Sequence, residues 1–365
     1  MMQFSRTFPR WAAVVLAAFG ASLTHAASVT DTTVSAVRFS YDVHMGAFLD
    51  NGEYSSTYKV PQTLSGAYVT PTVGLRFGGG AHRVMAGISF LQPFGQKPFD
   101  RVPDFLAYYN YTGRIFTGYG GLLPRADMKG YYSRALFSDS VGYFKHTLAG
   151  ALLQWSGGHG TIEAFFDWNS SDLQSGKESF MAGLAGQLYL GKQELFRLGM
   201  AGYMYHYRIG EKSVEEGLAP NFLVDNVMYH VYGGVDLSSV TPLDKLWLDV
   251  GIVGSLSRGR IAVDNAGGWT PRAGFHARLN LEWHGWGVED TFFVGKGLMP
   301  LWNIYGSQVY WGDAFYNAPL YNRTDLYWSK TLARCLSIRA ALVFHQTAQG
   351  VDFCQQATLK VHLWK

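Results

Sequence analysis

From Val37 to the C-terminus, apolar and polar residues alternate with a period of two, the signature of strands with two differently solvated faces. In Val37-Arg38-Phe39-Ser40-Tyr41-Asp42-Val43-His44-Met45 the odd positions are apolar and the even ones polar. Phe275, Ala277, Leu279, Leu281 and Trp283 alternate in the same way with His276, Arg278, Asn280 and Glu282. The pattern predicts sixteen strands, over 37–48, 66–77, 82–91, 104–111, 114–120, 145–155, 161–169, 179–190, 194–207, 225–238, 245–257, 270–284, 287–295, 320–329, 335–345 and 352–364. Fourteen is the rival count, because the fourth and fifth segments are short.

The connections sort themselves by length. Short turns such as Gly78-Gly79-Gly80, Thr112-Gly113 and Gly285-Trp286 fall at every even-to-odd step. Most of the others are long: 49–65, 92–103, 121–144, 170–178, 208–224, 258–269 and 296–319, with 346–351 shorter. A soluble sandwich has no reason to segregate its loops. A transmembrane barrel does, with short periplasmic turns, long extracellular loops and an even strand number. The fold class predicted is therefore all-β: a single antiparallel outer-membrane barrel over 27–365, with its first connection on the outside. On the outward phase, Phe77, Tyr111, Trp155, Phe196, Trp283 and Trp328 form a periplasmic girdle, and Phe90, Phe105, Trp168 and Phe344 an outer one.

On these features the chain resembles the porin-like outer-membrane barrels as a broad class. The resemblance implies an outer-membrane location, contact with outer-membrane lipid and lipopolysaccharide, and diffusion of small hydrophilic solutes. Such barrels end on an outward-phase aromatic residue. Here Leu359, Val361 and Leu363 hold that phase, Trp364 is out of step and Lys365 follows, which predicts a local irregularity in the last strand.

The first 26 residues are set apart from this pattern. Arg6 and Arg10 precede an apolar run from Trp11 to Leu23, and Thr24-His25-Ala26 offers a cleavage site, so 1–26 reads as a signal peptide. Cys335 and Cys354 fall at opposite ends of adjacent strands, about 25 Å apart at the usual rise. A disulfide needs Cα atoms within about 7 Å, so both are expected as free thiols.

The chain has 16% aromatic and 16% charged residues, 43 glycines and a net charge of +3. So small a charge gives no reason to expect a nucleic-acid partner. The inward phase is mixed in sign. Candidate lumen-lining residues are Arg38, Asp42, Arg76, Glu163, Asp167, Asp249, Arg272, His276, Arg278, Glu282, Asp325 and Arg339. They suit the wall of an aqueous path, since charges in a dry core are costly, and equally suit salt bridges that brace the wall or a plug. The loop 296–319 carries Trp302, Tyr305, Tyr310, Trp311 and Tyr316, residues able to stack on a sugar ring, to form a constriction, or to pack on one another.

Three functions compete: a channel for small hydrophilic solutes, a lipid-acting hydrolase, and a plugged barrel that binds through its loops. Glu163 and Asp167 lie four residues apart on a strand, roughly 13 Å, too far for a glycosidase pair. Ser156 and His159 belong to a glycine-rich turn. His206 is the oddity, a histidine on the lipid-facing phase near the outer rim, with no serine partner evident. No zinc-type His/Cys spacing and no nucleotide fingerprint stand out, so no metal or cofactor is expected.

Overall fold

The computed structural model describes residues 36–172, 177–208, 223–260 and 267–365; the predicted signal peptide lies outside the described residues. The sixteen predicted strands are β1 (Arg38–Glu53), β2 (Gln62–Phe77), β3 (His82–Pro93), β4 (Asp104–Thr112), β5 (Phe116–Pro124), β6 (Thr147–Gly157), β7 (Gly160–Asp172), β8 (Lys177–Leu190), β9 (Phe196–Arg208), β10 (Leu223–Asp236), β11 (Lys245–Arg260), β12 (Thr270–Trp283), β13 (Trp286–Gly295), β14 (Leu320–Leu332), β15 (Leu336–Thr347) and β16 (Gly350–Trp364). Each pairs antiparallel with its sequence neighbours, and β1 pairs with β16 to close the barrel.

Several strands run further at the long-loop end than the alternation predicts. β1 and β2 cover much of 49–65, β7 runs to Asp172 and β8 starts at Lys177 within the predicted loop 170–178, and the predicted loop 346–351 shrinks to a hairpin. Above the membrane both faces of a strand meet water, so alternation fades while the backbone ladder continues. Polar cross-strand pairs take over there: Asn51 donates to Gln355 Oε1 at 2.8 Å, and Thr63 donates to Asn51 Oδ1 at 2.5 Å. At the other rim, Gly78, Gly79 and Gly80 have φ of 61°, 67° and 98°, and three positive φ values in a row are why the β2–β3 turn can be so tight.

The outer wall bears a continuous apolar band, including Leu75, Leu184, Leu198, Val231, Ile252 and Leu279, all exposed to the surroundings. A soluble protein does not leave so much contiguous apolar surface in water. The girdle residues Phe196, Trp283, Phe105 and Trp168 are exposed at its edges, as is Trp286, which the alternation had assigned to a turn.

The expected irregularity in the last strand is not there. The seam keeps one register from Asp42↔Trp364 to Glu53↔Phe353. Trp364 lies on the inward phase and rests on the His362 ring, 4.6 Å between centroids. Both cysteines are free: Cys335 sits in the β14–β15 turn, and Cys354 pairs opposite Val343 on β15.

Candidate functional site

Two segments from the long-loop end turn into the bore. One connects β5 to β6 and carries a short helix, Asp139–Phe144; the other connects β13 to β14. They are sewn to one another through backbone bonds: Ser138 N–H to Trp311 O and Asp313 N–H to Arg134 O, both 2.8 Å. Leu136, Val309, Phe315 and Tyr316 pack with wall residues Leu148, Leu152, Met181 and Val253 in one buried cluster. The interior here is a packed core, which fits the second of the two readings of its charges, salt bridges that brace the wall and a plug.

Those charges mostly hold the plug. Glu163 accepts from Lys129 N at 2.6 Å, Tyr132 OH at 3.0 Å and Gln154 Nε2 at 2.8 Å. Asp167 pairs with Arg125. Asp325 receives Arg323 at 2.6 Å, Arg339 at 2.9 Å and Arg134 at 3.3 Å, and Arg323 also reaches Asp139 at 2.8 Å. His276 meets Tyr316 OH at 3.1 Å, and Arg278 lies 4.0 Å from the Tyr131 ring and 3.7 Å from Asp249. Glu282 binds Lys245 at 2.7 Å in the wall, and Asp42 meets His362 at 3.0 Å. Arg38 is exposed at the start of β1, opposite Arg76, while Arg272 is half-buried on β12. Tyr305, Tyr310, Trp311 and Tyr316 are buried, and Trp302 is half-buried.

Above the plug a cavity of about 1140 Å³ opens toward the long loops, lined by Tyr58, Lys59, Lys145, Tyr207, Trp302 and Trp311 among others. His146 ends the plug segment, with its ring 4.0 Å from Tyr68. Burial pushes its imidazole down to about 4, from the ordinary value near 6.5. A released plug therefore takes up a proton below about pH 6.5 that the docked plug refuses until about 4, so docking weakens as pH falls through that window. Limited proteolysis within 125–146 should be faster at pH 5 than at pH 7.5. Equal rates, or an unchanged dependence in His146→Gln, would contradict this.

The second cluster lies on the outside of the barrel. The register aligns Trp168 on β7 with Phe180 on β8, Phe180 with His206 on β9, His206 with Asp225 on β10, and Asp225 with Arg258 on β11. All five occupy the outward phase, and Trp269, just before β12, covers Arg258 at 4.6 Å. Phe180 stacks on the His206 ring with centroids 4.9 Å apart. His206 Nδ1 lies 2.8 Å from Asp225 Oδ1, while Asp225 Oδ2 accepts from Arg258 Nη2 at 2.6 Å and Arg260 Nη2 at 2.9 Å. A carboxylate can only accept, so the imidazole hydrogen sits on Nδ1 and the Nε2 lone pair is left available. From Phe196 in the lower girdle, ten residues of tilted strand lead up to His206. At ~3.3 Å per residue and a ~40° tilt that is ~25 Å, the height of the apolar band. The dyad therefore stands at the outer headgroup level.

A family model for the lipid A 3'-O-deacylase type matches residues 32–363, nearly the whole described barrel. The chain belongs to that family. No curated protein matches it. Among solved structures, this deacylase-type barrel is similar to OprB of Pseudomonas putida, with a TM-score of 0.50 and 8% identity over 90% of this chain and 94% of that one. It is also similar to a loop-deletion mutant of OmpT, an outer membrane protein of Vibrio cholerae (TM-score 0.48, 10% identity, 90% and 100% covered), and to OprD of Pseudomonas aeruginosa (0.42, 12%, 89% and 95%). At such identities the likeness is one of fold: the wall is that of a porin-like outer-membrane barrel.

Sequence reasoning reached His206 but left it without a partner. Asp225 is 19 residues away, across the connection 209–222, and only the β9–β10 register brings the two together. The signal was present in a weaker form, since Asp225, Arg258 and Arg260 all fall on the lipid-facing phase, where charges are costly and mark function. The packed bore was legible too. Tyr203, Tyr205 and Tyr207 on β9, with Leu148, Leu152, Met181 and Met228, are inward-phase residues that a wet channel has no use for.

Proposed function

We propose that this barrel is an outer-membrane hydrolase that removes an ester-linked acyl chain from lipid A in the outer leaflet, after export directed by residues 1–26. The observation that carries the reading is the His206–Asp225 pair, held at headgroup height on the lipid-facing wall of a deacylase-type barrel. Among the described residues the row holds no Ser, Thr or Cys, and water is taken as the nucleophile. His206 Nε2 takes a proton from water as its oxygen attacks the ester carbonyl. The carbonyl–alkoxy bond then breaks, and the imidazolium returns the proton to the leaving sugar oxygen, giving a free fatty acid and a hydroxyl. Asp225 fixes the ring and stabilises its charged form. It engages two N–H groups of Arg258 and one of Arg260, and each guanidinium has five, so both retain donors for a phosphorylated headgroup.

The test is fatty-acid release from lipopolysaccharide by the refolded barrel; no release under any lipid presentation would remove the reading. Arg260→Gln removes a phosphate anchor that touches Asp225 but not the His206 ring, and Arg258 still holds Asp225 through two bonds. It should raise KM roughly tenfold or more with kcat within about twofold. A fall in kcat with KM unchanged would place Arg260 elsewhere in the mechanism.

A second reading, diffusion of small hydrophilic solutes, is supported by the porin-like wall and the cavity above the plug. It requires the plug to leave the bore. Discrete conductance steps in planar bilayers would support it, and a silent barrel would not.

A further inference from the structure

At the opposite end of the bore, where β1 meets β16, the wall presents Asp42, His44 and His362 to one point. Their ligand atoms all lie within 4.8 Å of one another. His44 and His362 face each other directly across the closing seam, and Asp42 shares their inward face two residues before His44. Asp42 Oδ1 is 3.1 Å from His44 Nε2 and 3.0 Å from His362 Nε2. The two imidazoles stack with centroids 4.0 Å apart. His44 Nε2 is buried, and its 3.1 Å contact with Asp42 is too poorly aligned for a good hydrogen bond. On the plug, just outside this set of three, Asp127 Oδ1 lies 4.0 Å from His44 Nε2 and is placed to supply a fourth donor.

We propose that these four residues bind one divalent transition-metal cation of the zinc type. Two imidazole nitrogens and two carboxylate oxygens are a borderline donor set suited to zinc and its neighbours and poor for calcium or magnesium, which take oxygen alone. The spacing agrees. A tetrahedral ion with bonds of about 2.0–2.1 Å separates its ligand atoms by roughly 3.3 Å, and the contacts around His44 Nε2 and Asp42 Oδ1 run from 3.0 to 4.0 Å. The three wall ligands already lie within reach of one ion, and Asp127 must move toward them to complete the set. The ion would join the first strand, the last strand and the foot of the plug at one point, fastening the barrel seam and holding the plug down. The site stands apart from the outer-face dyad, so it depends on none of the catalytic reading.

The experiment uses the full refolded barrel, stripped with chelator and titrated with Zn2+ by calorimetry and with Co2+ by visible absorption. One equivalent should bind, the Co2+ form should show the intense bands of tetrahedral coordination, and zinc should raise the unfolding temperature. His362→Gln, at the more exposed end of the cluster, should weaken binding at least tenfold, and Asp127→Asn should weaken it while leaving the wall ligands in place. Folding of each variant is checked by its heat-modifiable gel mobility, and if one fails to fold the other decides. Failure of the wild-type barrel to bind an equivalent, or equal affinity in a folded variant, would overturn the proposal.

Discussion

Replacing His206 with alanine should lower fatty-acid release from lipopolysaccharide by about 10²- to 10⁴-fold, the usual worth of a positioned general base. The loss should fall on kcat, because the ring meets the attacking water and not the body of the lipid. Asp225→Asn should mimic much of it. An amide can present its NH2 to the ring, which favours the tautomer with hydrogen on Nε2 and removes the base from where it is needed. Both variants should still fold, since both side chains lie outside the packed core at the end of long strands. Snorkelling, the alternative role for a histidine at this depth, predicts a small effect on stability and none on turnover. Wild-type turnover in His206→Ala would therefore assign the dyad to that role.

The second large effect concerns the plug. Arg323 is 2% exposed and ties Asp325 to Asp139, joining wall and plug in one network. Arg323→Ala should cost about 3–5 kcal/mol, because buried carboxylates lose their principal counter-charge. Lysine should not rescue it, having one point charge where Arg323 uses Nε, Nη1 and Nη2 on two carboxylates. Replacing Arg323 and Asp325 together with apolar residues of similar volume should recover much of the loss. Equilibrium urea unfolding in lipid checks this, and a change below about 1 kcal/mol for the alanine variant would show that the network contributes little.

The wall was readable from the sequence because a membrane barrel writes its architecture at short range. Alternation in 273–283 fixes which face meets lipid, and the contrast between Gly78-Gly79-Gly80 and 49–65 fixes which end each strand is on. Strand ends were less readable, since pairs such as Asn51 with Gln355 continue the sheet into water without alternation. What could not be read were contacts made by closure of the barrel. His44 and His362 are first and last strand residues brought face to face by a seam that no local pattern encodes. The same holds for Arg134, a loop residue whose partners Glu289 and Asp325 lie on distant strands. The signs of the inward charges were visible, but not that one set lies on the wall and the other folds in from the loops.

The most direct measurement of the central claim is mass spectrometry of lipid A from outer membranes carrying the wild-type barrel, beside membranes carrying His206→Ala at equal abundance. A deacylase working through the outer-face dyad should yield lipid A lighter by one ester-linked acyl chain in the first sample and intact lipid A in the second. Identical, fully acylated lipid A in both, or equal deacylation in both, would contradict it.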